Sequence, residues 1–125
     1  MGGKISVFVY GTLMTGEENH HVVAPYVLSV QPGTVLGNLY DAGPYPALVP
    51  GFPGGPVYGE WLEVTEAGLA AMDELEQYYG PNHPANDYER VRITDLDGVR
   101  SGWVYVWTDS RGCPPIPGGN WRNRK

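Results

Sequence analysis

The sequence predicts an α+β fold: a closed or nearly closed β-sheet with one main helix packed on its outside. Three observations carry this. In GWVYVW, residues 102–107, Trp103, Tyr105 and Trp107 face one way and Val104 and Val106 the other. A strand that is apolar on both faces is covered on both, and a small chain achieves that by closing its sheet. One stretch, TEAGLAAMDELEQYY at 65–79, carries sustained helical periodicity. The 125 residues include 18 Gly and 12 Pro, which favours turns and short strands. They suffice for one domain, 1–125, but not for two.

In chain order, ISVFVY at 5–10 is rich in β-branched and aromatic residues and reads as a strand, broken by Gly11-Thr12-Leu13. Residues 17–24 read as a short helix ending before Pro25. TVLGNLY at 34–40 is a second strand, with Gly37 as a candidate bulge. The Gly/Pro-rich loop 41–56 holds a short strand at 47–49, and a third strand, 57–64, runs directly into the helix. After a loop at 80–85 come strands at 88–94 and 102–107. Asp97-Gly98 between them marks a hairpin, since a tight turn there wants positive φ. The tail, 114–125, is again rich in Pro and Gly.

The helix carries the first chemical signal. Thr65 suits its N-cap. On a wheel of about 100° per residue, Leu75, Tyr79, Met72 and Leu69 form an inward stripe from about 240° to 360°. Glu76 falls near 340°, inside that stripe, whereas Glu74 and Gln77 fall on the wet side. An inward carboxylate must be paired, hydrogen-bonded or protonated, because desolvating the ion costs several kcal/mol. Desolvation also raises its pKa, which suits a general base. From the stripe alone, Glu76 either faces the interior or sits at the rim and reaches water.

Fourteen acidic residues face eight basic ones, a formal net charge of −6. Arg122, Arg124 and Lys125 lie at the very end, so the body of the chain is more acidic still. That argues against nucleic-acid binding. The single Cys113 excludes an internal disulfide and any multi-Cys zinc site. No apolar run approaches the ~18 residues of a membrane span. The start, MGGKISVFVYG, has a strand pattern rather than that of a signal peptide. The expectation is a cytoplasmic protein with no membrane partner. MGGKIS also fits the loose N-myristoylation pattern through Gly2 and Ser6. Strand residues follow almost at once, however, and so short a pattern often matches by chance.

Gly11, just past a buried strand, lets the backbone turn sharply and expose successive N–H groups. Tyr10, Gly11, Thr12 and Leu13 then form either a nest for a carboxylate or oxyanion, with the Thr12 hydroxyl as a further donor, or an ordinary Gly turn. His20 and His21, beside Glu17 and Glu18, lack the third spaced partner of a zinc site and read as a solvated charged segment. Cys113 as a nucleophile needs a nearby His, and His83 is the one on offer. Tyr88 and Arg90, two apart, share one face of a strand. Arg90 suits a substrate carboxylate, Glu76 or the open surface. Tyr88 suits core filling with its hydroxyl bonded locally.

Taken in order, the following segments resemble the gamma-glutamylcyclotransferase-like family: VFVYGTL at 7–13, GNLYDAGPYPALVP at 37–50, VYGEWLEV at 57–64, MDELEQYYG at 72–80, YERVRI at 88–93 and WVYVW at 103–107. The IPGGNW ending at 116–121 resembles the family's closing motif, with Asn120 in place of the usual Asp. Gln77 stands where the family typically has Gly after the Glu. Length and the YGTL spelling are most similar to the short bacterial and gamma-glutamylamine branch.

The resemblance implies a small mixed β-barrel whose helix carries the catalytic glutamate, by position Glu76. It implies that Tyr10, Gly11, Thr12 and Leu13 bind the γ-glutamyl moiety, and Tyr88 is counted with them as substrate-binding. The implied reaction is attack of the substrate's α-amine on its own γ-carbonyl, with Glu76 as general acid/base. The products are 5-oxoproline and a free amine. No metal and no cofactor are required. The expected partner is a small-molecule gamma-glutamyl substrate, and the expected assembly a monomer or homodimer. The alternative is a non-catalytic small-molecule binding module on the same barrel, which would have no need of an inward carboxylate. A hydrolase built on Cys113 is a third reading.

Overall fold

The computed structural model describes residues 3–124, so Gly2 and its acylation pattern lie outside the described residues. The elements are β1 (Ile5–Val9), α1 (His20–Val23), β2 (Val27–Asp41), β3 (Pro46–Pro50), β4 (Gly55–Val64), α2 (Glu66–Leu75), β5 (Glu89–Thr94) and β6 (Ser101–Val106). The strands form one sheet in the order β3-β2-β4-β1-β6-β5. β1 and β6 are parallel and the other neighbours antiparallel, so the sheet is mixed.

The sheet curls into a half-barrel, and backbone polar groups draw its ends together. Trp107 N–H donates to Leu48 O at 2.9 Å, joining the end of β6 to β3. Tyr10 reinforces the seam from inside: its hydroxyl donates to Tyr105 O at 2.7 Å and accepts from Leu48 N–H at 3.1 Å. The double-sided strand behaves as its sequence requires, with Val104, Tyr105, Val106 and Trp107 all buried. They belong to one core cluster with Phe8, Trp61, Leu62 and Met72 of α2.

Four local features depart from expectation. The helix predicted at 17–24 is confined to His20–Val23, and Pro25 lies in a following 3-10 turn, Ala24–Tyr26. Proline at the start of such a turn loses no needed hydrogen bond. β2 begins at Val27 rather than Thr34. Pro32 is tolerated because β2 has one partner there, β3 pairing only from Gly37 onward. Gly37 is no bulge: the irregularity in β2 lies between Val27 and Ser29. At Gly37 β2 is flanked by β3 and β4, and a Cβ would come within 2.7 Å of Leu48 Cδ1.

The fourth departure shapes the site. Thr65 caps α2 as expected, its Oγ1 accepting from Gly68 N–H at 3.2 Å. The helix stops at Leu75 instead of running to Tyr79. Glu76 is the C-cap, and Gln77 follows in the left-handed region at φ 55. Gln77 N–H donates to Glu74 O and Tyr78 N–H to Asp73 O, the paired bonds of a Schellman motif. Tyr79 therefore leaves the inward stripe and is 59% exposed.

Candidate active site

The N-terminal wall of the site is the turn after β1. Gly11 is packed so closely that an added Cβ would lie 2.5 Å from Pro46 Cγ. Asn19 braces the turn twice: its N–H donates to Thr12 O at 2.8 Å and its Nδ2 to Thr12 Oγ1 at 3.0 Å. His20 Nδ1 bonds Leu13 O at 2.8 Å, so this histidine supports the turn. No group of three or more His, Cys, Asp or Glu among the described residues is arranged for a metal ion. The carbonyls and hydroxyl of the turn are thus engaged. Its N–H groups are not: among the described residues nothing accepts from the backbone of Gly11, Thr12 or Leu13. Three successive N–H groups without an acceptor are the kind of donor set that an anion-binding turn offers.

The opposite wall is the end of α2. Glu76 is half-buried, and the phenols of Tyr10, Tyr45, Tyr88 and Tyr105 all sense its charge. Among the described residues no donor or cation meets its carboxylate; the ion pairs lie elsewhere. Burial, and secondarily the negative charge of Asp87, push its pKa from 4.5 up to about 8. Asp87 is itself held by Arg111, Nη1 to Oδ1 at 2.9 Å.

A small cleft of about 30 Å³ lies between these walls. All six residues singled out from the sequence line it: Tyr10, Gly11, Thr12, Leu13, Glu76 and Tyr88. Two of them have committed hydroxyls. Tyr10 bridges β6 and β3 as described, and Tyr88 donates to Pro46 O at 2.7 Å. Burial raises both phenols far above the ordinary tyrosine range, so they stay neutral. Tyr88 both fills the interior and walls the cleft, packing between Tyr45 (centroids 6.1 Å) and Trp107 (5.8 Å).

Arg90 reaches neither the cleft nor Glu76. Its Nη1 lies 2.8 Å from both carboxylate oxygens of Asp73, a pairing the sequence reading did not foresee. That reading also missed Tyr45, Pro46, Tyr105 and Asp87. Tyr45 and Pro46 lie in a stretch whose sequence reads as a Gly/Pro-rich loop without periodicity, although Pro46 opens β3. Tyr105 was legible only as an interior aromatic of β6. Cys113 is half-buried, with its N–H on Ser110 O, and it does not line the cleft. His83 Nδ1 accepts from Ala85 N–H in its own loop.

Comparison with known proteins gives the family of the chain. The model of the gamma-glutamyl cyclotransferase, AIG2-like family matches residues 7–123. A gamma-L-glutamyl-butirosin B gamma-glutamyl cyclotransferase of Niallia circulans is 38% identical over 105 residues, 82% of this chain and 66% of that protein's length. A gamma-glutamylcyclotransferase family protein of Citrobacter rodentium is 34% identical over 119 residues, 94% of this chain and 96% of its own. The crystal structure of an AIG2-like protein from Mus musculus superposes with a TM-score of 0.72 at 26% identity, covering 90% of this chain and 85% of that one. The chain belongs to the gamma-glutamyl cyclotransferase, AIG2-like family.

Proposed function

We propose that the chain, as one domain over residues 1–125, is a gamma-glutamyl cyclotransferase that closes a gamma-glutamyl amide on its own α-amine. The observation that carries this reading is the Glu76 carboxylate: half-buried, without a donor, and with its pKa raised to about 8. It shares a cleft with the free N–H groups of Gly11, Thr12 and Leu13. A substrate bearing both an ammonium and an anionic group satisfies both walls at once.

The steps follow from that complementarity. The α-ammonium docks on Glu76, which takes one of its protons. A pKa of about 8 lies within about one unit of an α-amino group, so the transfer is nearly balanced. The neutral amine attacks the γ-carbonyl carbon and a five-membered ring closes. The N–H groups of Gly11, Thr12 and Leu13 hold the substrate's α-carboxylate or the oxyanion formed in this step. On collapse the bond to the leaving amine breaks; that amine takes the proton back from Glu76 and receives the second proton shed by the ring nitrogen, so it departs as an ammonium and the lactam is left neutral. The nucleophile is tethered within the substrate, so the cleft need only fold it into the ring-closing geometry. The Niallia relative is named for gamma-L-glutamyl-butirosin B, and a gamma-glutamyl amine of that kind falls within the class proposed. The enzyme works without a cofactor in the cytoplasm, as a monomer or homodimer.

The test is the nature of the nucleophile. An N-acetyl-γ-glutamyl amide should be inert although its scissile bond is unchanged. The unblocked substrate should yield lactam containing no oxygen from heavy-oxygen water. Turnover of the blocked compound, or label in the product, would show that water or Cys113 attacks instead.

A further inference from the structure

Arg90 is a strongly held cation beside the site that the reaction above leaves without a task. Its guanidinium is pinned on three sides. Nη1 reaches both Asp73 oxygens at 2.8 Å. The Tyr78 ring lies 4.9 Å from its Cζ and the Trp103 ring 4.7 Å. Among the described residues its buried Nε–H has no partner, so these contacts alone define its place. Asp73 Oδ1 also accepts from the Tyr105 hydroxyl at 2.6 Å, and Tyr105 lines the cleft.

Asp73 and Tyr78 are the two residues whose backbones close the C-terminal turn of α2, Tyr78 N–H donating to Asp73 O at 2.9 Å. Glu76 sits between them in that turn. Arg90 therefore grips the turn at both its feet, by an ion pair on one side and a stacked ring on the other. A planar guanidinium can do both at once, and an ammonium cannot. We infer that Arg90 is a positioning residue, which holds the turn so that Glu76 stands at the substrate amine. The inference rests on Glu76 being the base.

The arrangement has an electrostatic side. Asp73 and Glu76 are three apart along α2 and its cap, hence neighbours on one face. The other titratable groups facing Glu76 are Asp87 and Tyr88 before β5, Tyr10 at the end of β1, Tyr45 before β3 and Tyr105 on β6. Arg90 neutralises the one carboxylate on Glu76's own helix face, as Arg111 does for Asp87.

Steady-state kinetics across pH on Arg90→Met, Arg90→Lys, Tyr78→Leu and the double variant Asp73→Asn/Arg90→Met test this. Arg90→Met should lower kcat about tenfold or more with KM within about twofold, since a misplaced base costs rate before binding. Its acid limb should move up, because Asp73, three residues from Glu76, loses its cation. The double variant should bring the limb back while kcat stays low, separating charge from position. Arg90→Lys should keep the wild-type limb and recover kcat only in part, about a third at most. Tyr78→Leu should lower kcat about threefold with the limb unmoved.

Wild-type kcat and limb in Arg90→Met would overturn the inference. A fall in melting temperature alone would also overturn it. If Arg90→Met does not fold, wild-type kcat in both Arg90→Lys and Tyr78→Leu does the same. A carbon-13 titration of the Glu76 carboxyl, higher in Arg90→Met than in wild type, tests the coupling whatever the role of Glu76. Full activity in Glu76→Gln would instead sink the base assignment and leave that titration standing.

Discussion

The two walls of the cleft are opposites. The turn after β1 offers three N–H donors with no acceptor, on a segment whose carbonyls and side chains are tied down by Asn19 and His20. The end of α2 offers an acceptor with no donor, on a turn held through Asp73 and Tyr78. The two walls face the same cleft and do not pair with each other. A scaffold that keeps donors and acceptor rigid and apart is prepared for a ligand that carries both complements.

The comparison breaks most severely at Glu76. Glu76→Gln should lower kcat about 10³-fold, within the range of proton transfer by a placed side chain. Glu74→Gln, on the exposed face one step before Leu75, should leave it near wild type. Equal losses in the two would remove the distinction between the walls.

The donor wall breaks at Gly11. Gly11→Ala drives a Cβ against Pro46 and should displace the free N–H groups, lowering kcat/KM about 10²-fold. Measured kcat/KM within a few-fold of wild type would show that the nest is dispensable.

Titration separates the walls next, since only one of them carries a charge. The kcat/KM profile should rise with pH through about 8, the pKa of Glu76 in the free enzyme, and fall again where the free substrate loses its α-ammonium proton. The kcat limb should lie lower, because a bound ammonium favours the carboxylate. Stability should run the other way. The folded state retains the Glu76 proton between 4.5 and about 8, where the unfolded chain has released it. The neutral acid's advantage is therefore full below 4.5 and lost as pH rises through 8. Glu76→Gln, permanently neutral, should melt several degrees above wild type at pH 9 and level with it at pH 4. A constant offset across pH would contradict the raised pKa.

The smallest effects concern the frame. Gln77 sits at φ 55, where a side chain costs about 1–2 kcal/mol. Gln77→Gly should raise stability by about 0.5–1 kcal/mol after the added entropy of glycine, read by denaturant melts. Cys113→Ala and exhaustive chelation should leave kcat and KM at wild-type values; a large loss from either would revive the hydrolase or metal readings.

Residue 77 also shows what could be read from sequence and what could not. The inward tilt of Glu76 was legible because residues 65–76 follow one helical spiral, and the C-cap keeps right-handed geometry at φ −84. The stop one residue later was not, because glutamine gives no signal for a left-handed turn. Tyr79 was assigned to the stripe for that reason alone. Pro32-Gly33 hid the first half of β2 similarly: a break in local propensity was overruled by pairing along β4. Gly11 announced a sharp turn, but the reason only glycine fits there is Pro46, far along the chain. Arg90 suited a substrate carboxylate, Glu76 or the open surface, and its actual partner is Asp73. Asp73 was hidden in a helix whose acidic residues looked alike.

The Tyr10 hydroxyl has a consequence for how the protein comes into being. Its two bonds join residues 38 and 95 positions away in sequence. Loops of that length close late, since their entropy must be met before the contact returns anything. No fragment ending before β6 can hold Tyr10, and with it the donor turn, in register with the base. A nascent chain thus acquires its cleft only when its last strand has been made and docked, and activity in a refolding experiment should be the last signal to return.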